Sequence, residues 1–154
     1  PMIHAVSAAA YKADVKNASA SPLSTDNFAV MDPAGRDMFV WMQNAEPISL
    51  YCADETDSES LRACAQVLEP LYSYVPGGTD IQPALAKSCT PDAELKVWTC
   101  ELRENVKFHD GSLLDANDVV VSWVAGWDAS SPLHVGSTGT FEYFTTLFGL
   151  INTP

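Results

Sequence analysis

The chain has 154 residues, 47% of them hydrophobic, which is enough for one domain with its own core. Its 20 acidic residues outnumber the 8 basic ones and give a formal net charge of −12 at pH 7. This charge argues against nucleic acid or an anionic membrane surface as a partner, because both select basic surfaces. No apolar run in the sequence approaches the roughly 20 residues that a membrane-spanning helix needs.

The first half of the chain predicts a strand, a long loop and a helix. Residues 2–11 are mildly apolar and compatible with a strand, residues 12–32 are small and polar, and turn-forming residues follow at 32–36. Thr56 and Glu59 have the spacing of a capping box at the start of a helix. Pro70 is expected to kink or end the last turn. Between these limits the apolar residues recur at helical spacing: Leu61, Cys64, Ala65, Leu68, Leu71 and Tyr72.

The stretch 84–127 predicts a hairpin followed by a helix. A short strand at 84–88 meets a turn at 90–92, and residues 95–103 then alternate as in a half-buried strand. After a tight turn at 107–111, Asp115 is placed to cap a helix, with Asp118 in its first turn. Helical spacing gives that helix a buried face: Val119, Val120, Trp123, Val124 and Trp127. The apolar run 141–150 predicts a short terminal helix.

The run 102–123, LRENVKFHDGSLLDANDVVVSW, resembles the signature of bacterial extracellular solute-binding proteins of family 5, the dipeptide, oligopeptide and nickel receptors of ABC importers. Upstream, 68–74 (LEPLYSY) and 81–86 (IQPALA) match further pieces of the family pattern at fitting spacing, and 131–134 (SPLH) extends the resemblance. The resemblance implies an α/β fold: a periplasmic-binding-protein-like (type II) lobe with a mixed β-sheet flanked by helices, incomplete relative to the full receptor.

The order of segments resembles a circular permutation of the family. Residues 1–33 resemble its C-terminal segment, 34–37 form a linker, and 38–154 resemble its N-terminal segment. On this hypothesis residues 38–43, the counterpart of the family's first strand, lie beside residues 2–11, because domain termini are often close in space. The chain begins without the basic region of a signal peptide. We therefore expect a fragment of a longer exported chain, one lobe of a two-lobe receptor.

Four cysteines suggest two disulfides, since the count is even and no CxxC pair gives a zinc spacing. Cys89 and Cys100 flank the hairpin turn, and Cys52 and Cys64 bracket a loop and the start of a helix. We expect the pairs 52–64 and 89–100, each contributing roughly 2–3 kcal/mol in the chain-entropy model. The alternative is four reduced, buried cysteines in a cytosolic protein. The exported compartment that the resemblance implies favours disulfides, and Cys89 and Cys100 stand where the family usually has tryptophan and a bulky apolar residue.

In the family the ligand lies between two lobes, and the loop after the first strand contributes to the cleft. Here that loop is 44–52, and Glu46, Ser49 and Tyr51 are the expected ligand contacts. A carboxylate there can pair with a peptide amine or a cation; the alternative is that Glu46 is a solvated loop charge. The family's main amine-binding aspartate belongs to the other lobe and is not carried over. Because a lobe is missing, the edge near 44–51 and the C-terminal aromatic run should expose apolar surface.

The resemblance implies a function without bond chemistry. It implies the substrate-binding component of an ABC importer, which captures a peptide or similar small solute outside the membrane, closes its two lobes around it and delivers it to the permease. No cofactor or metal is implied, and the location is extracytoplasmic: periplasmic or at the cell surface, lipid-anchored or secreted.

Two other functions remain open. The first is a hydrolase using His109 and Asp110, although the KFHDG pattern around them favours a structural turn. His4 and His134 have no ligand-spaced partner, and no serine has the G-x-S-x-G setting of a nucleophile. The second is a stand-alone acidic protein-interaction domain. An aromatic cluster can be a ligand wall but is more typical of packing between segments: Trp123, Trp127, Phe141, Tyr143, Phe144 and Phe148.

Overall fold

The structure, a computed structural model, describes residues 8–23 and 26–153. Its helices in that part of the chain are α1 (Ser58–Val67), α2 (Ala116–Trp127) and α3 (Glu142–Leu147), with single 3₁₀ turns at Phe28–Val30 and Cys52–Asp54. The strands form two antiparallel pairs, β1 (Tyr72–Tyr74) with β2 (Ile81–Pro83) and β3 (Ala86–Pro91) with β4 (Trp98–Leu102). The expected α/β class is confirmed. The named strands pair only antiparallel, and the parallel contact is an isolated bridge between Asp128 and Ile151.

Helix α1 begins one residue later than expected. The cap is Asp57, whose carboxylate accepts a hydrogen bond from the Ser60 backbone N–H at 2.8 Å. The Thr56–Glu59 capping box is therefore wrong, because the carboxylate of Asp57 takes the role that the Thr56 hydroxyl was expected to play. The helix ends at Val67, before Pro70, and the residues expected to extend its stripe enter the extended segment that leads to β1.

The β3–β4 hairpin has a longer turn than the sequence suggested. Pro91 pairs with Trp98, so the turn covers the residues between them and not 90–92. The carboxylate of Asp92 accepts from the backbone N–H groups of Lys96 at 2.9 Å and Val97 at 3.3 Å. Leu95 has a left-handed backbone, φ 59°, which removes it from the strand. The strands predicted at 84–88 and 95–103 are shifted accordingly, and most of β4 is exposed instead of half-buried.

Helix α2 has the predicted start. Asp115 caps it, and a full capping box forms because the Asp118 carboxylate accepts from the Asp115 backbone N–H at 2.7 Å. Its apolar face is only partly covered, since Val120 is 59% exposed. The terminal helix at 141–150 is confirmed as α3.

The aromatic residues of α2 and the C-terminal segment pack against each other. The ring of Trp123 lies 5.7 Å from that of Phe144 and 5.6 Å from that of Phe148, and the Trp127 indole N–H donates to Gly149 O at 2.5 Å. Gly126 is buried at this contact, where an added Cβ would lie 2.3 Å from the Phe144 ring. The cluster therefore packs two helices together, as expected, with no room to spare at Gly126.

A buried carboxylate joins the middle of the chain to its C-terminal third. Asp54, 4% exposed, accepts from the backbone N–H groups of Thr138 at 2.7 Å, Gly139 at 2.9 Å and Phe141 at 2.8 Å, and from the Thr138 hydroxyl at 2.8 Å. Gly136 leaves the space for it, since a Cβ there would lie 2.2 Å from Asp54 Oδ2. These contacts hold the 136–141 loop.

The neighbouring acidic residue Glu55 has a partner of its own. It is 3% exposed, and its carboxylate accepts from the Ser137 hydroxyl at 2.6 Å.

The hydrogen bonds to Asp54 keep its carboxylate charged. Burial acts to raise the pKa of Asp54, but the hydrogen bonds from Phe141, Thr138 and Gly139 outweigh it and lower the pKa to about 2. The Asp54 charge is thus stabilised by the fold.

Acid should weaken the fold through Asp54. Its folded-state pKa lies below the ordinary value near 3.8, so the charge stabilises the fold above about pH 4, and this contribution is lost as the pH falls toward 2. At about 1.4 kcal/mol for each pH unit between the two values, the contribution is on the order of 2 kcal/mol. Asp54→Asn should flatten the stability profile below pH 4 in urea unfolding. Glu46→Gln, at an exposed carboxylate that has no hydrogen-bond or ion-pair partner among the described residues, should leave it nearly unchanged. Equal profiles for wild type and Asp54→Asn would contradict the assignment.

Alanine at position 126 should destabilise the protein although it favours a helix. A helical glycine replaced by alanine ordinarily gains up to about 1 kcal/mol. Here the new methyl group must displace the Phe144 ring, a form of overpacking that costs roughly 1–3 kcal/mol. Thermal unfolding should show a lower Tm for Gly126→Ala. Gly78→Ala is the control, since its Cβ would lie 3.5 Å from Val75 O, an ordinary contact; a raised Tm for Gly126→Ala would refute the packing account.

Candidate functional site

The candidate ligand loop, residues 44–52, is attached to helix α1. The hydroxyl oxygen of Ser60, a fully buried residue of α1, accepts from the backbone N–H groups of Ile48 at 2.9 Å and Ser49 at 3.3 Å. The Cys52–Cys64 disulfide joins the end of the loop to the buried side of the same helix, with the two Cα atoms 5.9 Å apart. The position of the loop is thus fixed by α1.

Both expected disulfides are present. Besides Cys52–Cys64, the structure joins Cys89 to Cys100, which stand directly opposite each other in the β3–β4 register with their Cα atoms 4.0 Å apart. The alternative of four reduced cysteines is therefore wrong, since both pairs are bonded. The two bridges hold different parts of the chain, one the candidate loop and the other the hairpin.

The three expected ligand residues have different surroundings. Tyr51 is engaged within the protein: its hydroxyl donates to Leu133 O at 3.0 Å and its ring meets that of Phe141 edge-on at 6.2 Å. The Ser49 hydroxyl accepts from the Tyr51 backbone N–H at 2.9 Å. Glu46 is exposed and has no hydrogen-bond or ion-pair partner among the described residues. Of the three, Glu46 has the side chain free to meet a ligand, and the other two shape the loop.

Apolar side chains are exposed where an apolar edge was expected. On the loop, Ile48 is 70% and Leu50 71% exposed; on the C-terminal run, Leu147 is 67% and Phe148 53% exposed. These values agree with the expectation of an uncovered edge.

An open groove of about 600 Å³ lies beside the start of the loop. Residues 8–12 and 38–44 line much of it, and the rings of Tyr11 and Trp41 meet with their centroids 5.7 Å apart. Residues 38–43 therefore lie beside the end of the segment 2–11; residues 2–7 of that segment lie outside the described residues. Neither 8–11 nor 38–43 forms a strand in the described part of the chain.

Arginine residues tie the groove to the rest of the fold. The Arg62 Nε lies 2.9 Å from an Asp26 carboxylate oxygen, in an ion pair that is largely buried. Its guanidinium also lies over the Trp41 ring, 5.8 Å from the centroid. Arg36 pairs with Asp14. Asp14 is thus bound to Arg36 by charge, and Asp26 is bound in the same way to Arg62 of α1.

The His109–Asp110 pair has the geometry of a turn. The Asp110 carboxylate accepts from Ser112 through the hydroxyl at 2.7 Å and the backbone N–H at 2.9 Å, and these hydrogen bonds lower the pKa of Asp110. Gly111 has φ +90°, as the reversal requires. His109 is exposed. The carboxylate that a catalytic pair would need is therefore engaged by Ser112.

The remaining histidines do not form a metal centre in the described part of the chain. His134 stacks on the Phe141 ring at 3.8 Å with its Nδ1 3.0 Å from Ala125 O, while His4 lies outside the described residues. Across residues 8–23 and 26–153, no three side chains of the metal-binding types lie close enough to hold an ion. The helices in the same part of the chain are all too short or too polar to cross a membrane.

The structural hub around Asp54 was missed by the sequence analysis. Asp54 and its partners Thr138, Gly139 and Phe141 are separated by 84 to 87 positions. The available signal was local: an acidic run at 54–57 and a run of small hydrogen-bond donors at 136–140. Nothing in either run indicates that the two meet.

Comparison with known proteins identifies the central part of the chain. Residues 80–140 match the family model described as bacterial extracellular solute-binding proteins, family 5 Middle. Heme-binding protein A of Haemophilus influenzae is 33% identical over 116 residues, which cover 71% of this chain and 21% of that protein. The dipeptide-binding protein of Escherichia coli is 35% identical over 85 residues, covering 49% of this chain and 16% of that protein.

A third relative shows the same pattern. The nickel-binding periplasmic protein of Escherichia coli is 38% identical over 78 residues, covering 49% of this chain and 14% of that protein. The matched part of the chain thus spans about a fifth or less of each of these relatives. No solved structure gives a significant match. Residues 80–140 are thus similar to the bacterial extracellular solute-binding proteins of family 5.

Proposed function

We propose that this chain is part of the substrate-binding component of an ABC importer, which captures a peptide or similar small solute outside the membrane and delivers it to a permease. The observation that carries the proposal is the family match over residues 80–140, which includes the whole run 102–123. The relatives are named for binding heme, a dipeptide and nickel, three small solutes of different chemistry. Their shared feature is capture of a solute, and none of these names describes a chemical reaction.

The extracytoplasmic location follows from the same proposal. Two relatives are named for the solute that they bind, and one of these two is named as a periplasmic protein. The disulfides Cys52–Cys64 and Cys89–Cys100 fit an oxidising compartment, where such bonds form and persist.

The proposed receptor has a second lobe, and the permuted order of segments is part of the proposal. Three contacts between the first 33 residues and the remainder support it: Tyr11 with Trp41, Asp26 with Arg62, and the Phe28 backbone N–H with Gln66 Oε1 at 3.0 Å. The segment that resembles the family's C-terminal end is thus packed on the segment that resembles its N-terminal end. Glu46 is the proposed polar contact to the solute, because it is exposed and unengaged on a loop whose backbone is fixed by α1.

Native mass spectrometry of the full-length receptor should detect a co-purifying solute. Added back to the receptor, that solute or a peptide like it should bind reversibly with micromolar or tighter affinity, about −8 kcal/mol. It should be released chemically unchanged. Glu46→Ala should weaken binding of an amine-bearing or cationic ligand several-fold and leave the Tm unaltered, since an exposed loop carboxylate contributes little to folding. Glu94→Ala, which removes an exposed carboxylate from the β3–β4 turn, is the matched control and should bind normally.

The substitution His109→Ala distinguishes the receptor hypothesis from the hydrolase hypothesis. The substitution should leave ligand affinity unchanged and at most lower stability through the turn at 107–111. The wild-type protein could instead convert the ligand chemically, and a folded His109→Ala variant could lose that activity. This result would contradict the receptor hypothesis and support the hydrolase.

A further inference from the structure

Residues 44–47 of the candidate ligand loop lie between two contacts with helix α1. Before them, the Arg62 Nη1 donates to Gln43 Oε1 at 3.0 Å. After them, the Ile48 backbone N–H donates to Ser60 Oγ at 2.9 Å. The four residues make no hydrogen bond of their own to any described residue. The path of this stretch is therefore set by the contacts that flank it.

The guanidinium of Arg62 is itself held in place. Its Nε lies 2.9 Å from an Asp26 carboxylate oxygen, and the two side chains are only 13% and 5% exposed. Its central carbon lies over the Trp41 ring, 5.8 Å from the centroid. Because a guanidinium is planar and rigid, these two contacts set the direction in which Nη1 points. The exposed Gln43 side chain thus accepts from a donor that is already fixed.

The contact after the stretch is fixed by burial. Ser60 is fully buried in α1, and its Oγ accepts a second loop N–H, that of Ser49, at 3.3 Å. One helical turn further on, the Cys52–Cys64 disulfide joins the end of the loop to the same helix. The second half of the loop is therefore held at several points, whereas residues 44–47 depend on Gln43 at their start.

Glu46 lies within this dependent stretch. Its side chain is exposed and has no hydrogen-bond or ion-pair partner among the described residues. A loop that is ordered before binding loses less conformational entropy when a ligand binds, and the affinity is higher as a result. Supporting contacts also fix the geometry of the side chain that meets the ligand.

We propose that Gln43 and Ser60 are positioning residues for the bound solute, because they hold the stretch that carries Glu46. Arg62 acts through Gln43, and its ion pair with Asp26 keeps it available for that role. The inference rests on the proposed function, in which Glu46 is the polar contact to an amine-bearing solute. It adds that selectivity for the amine depends on residues that do not touch the solute.

The first test measures the order of the loop by NMR relaxation of the 154-residue chain without a ligand. Gln43→Met keeps the length of the side chain but removes the oxygen to which Arg62 donates. The backbone order parameters of Ala45 and Glu46 should fall from about 0.8 toward 0.6. The Tm should stay unaltered, since Gln43 is exposed. Gln82→Met, at an exposed glutamine of β2, is the matched control and should leave both order parameters unchanged.

The second test measures selectivity in the full-length receptor with two peptides that differ only in the amine, Ala-Ala and N-acetyl-Ala-Ala. Wild type should prefer the free amine. Gln43→Met and Ser60→Ala should each lower that preference about fivefold, the scale of one ordering cost. Neither should lower it further in a Glu46→Ala background. Ser58→Ala, at an exposed serine of the same helix, should keep the wild-type preference.

Other outcomes would overturn the inference. Order parameters at 45 and 46 that are already low in the wild type, or that do not change in Gln43→Met, would show that Gln43 does not hold the stretch. An equal loss of affinity for both peptides would mean that the substitutions act on the fold alone, while the receptor hypothesis would stand. Binding of neither peptide to the wild type would contradict the proposed function for peptides, and the relaxation measurement would then decide the role of Gln43 separately.

Discussion

The fold depends on one buried carboxylate. Asp54 accepts four hydrogen bonds from the 138–141 segment, three of them from backbone N–H groups. Phe141, fully buried at the end of that turn with φ 43°, is set in place by one of these bonds. Tyr51 and His134 both pack on the Phe141 ring, so the candidate loop and the segment after α2 are positioned through the same contact.

Hydrogen bonds, an ion pair and disulfides hold together segments that an apolar core usually holds. The largest fully buried side chains in the described part of the chain are Phe141 and Ser60, and Ser60 acts through its hydrogen bonds to the loop. The Cys52–Cys64 bridge and the Arg62–Asp26 ion pair attach further segments to α1. Many large apolar residues stay exposed as a result, among them the row Met38, Val40 and Met42. Surfaces of this kind mark sites where a ligand or more protein packs.

The parts of the structure that sequence could predict are those set by local chemistry. Asp115 and Asp118 bracket the start of α2 within four positions. The positions of Cys89 and Cys100 on either side of a turn, together with the exported compartment that the resemblance implies, predicted their pairing. The start of α1 was off by one residue because Thr56 and Asp57 are both good caps, and the choice between them depends on tertiary contacts. The β3–β4 turn was misplaced because Leu95 adopts a left-handed backbone that no sequence signal announced. The Asp54 network joins positions more than 80 apart, beyond the reach of any local pattern.

The central claim is that the charge of Asp54 is stabilised by the fold and holds the C-terminal third in place. Titration of the Asp54 carboxyl carbon by NMR tests it most directly, with the amide signals of Thr138, Gly139 and Phe141 followed in the same samples. The expected pKa of Asp54 is about 2, with the three amide signals shifting together as the carboxylate is protonated. A pKa near the ordinary value of 3.8, with amide shifts that do not follow the carboxyl, would contradict it.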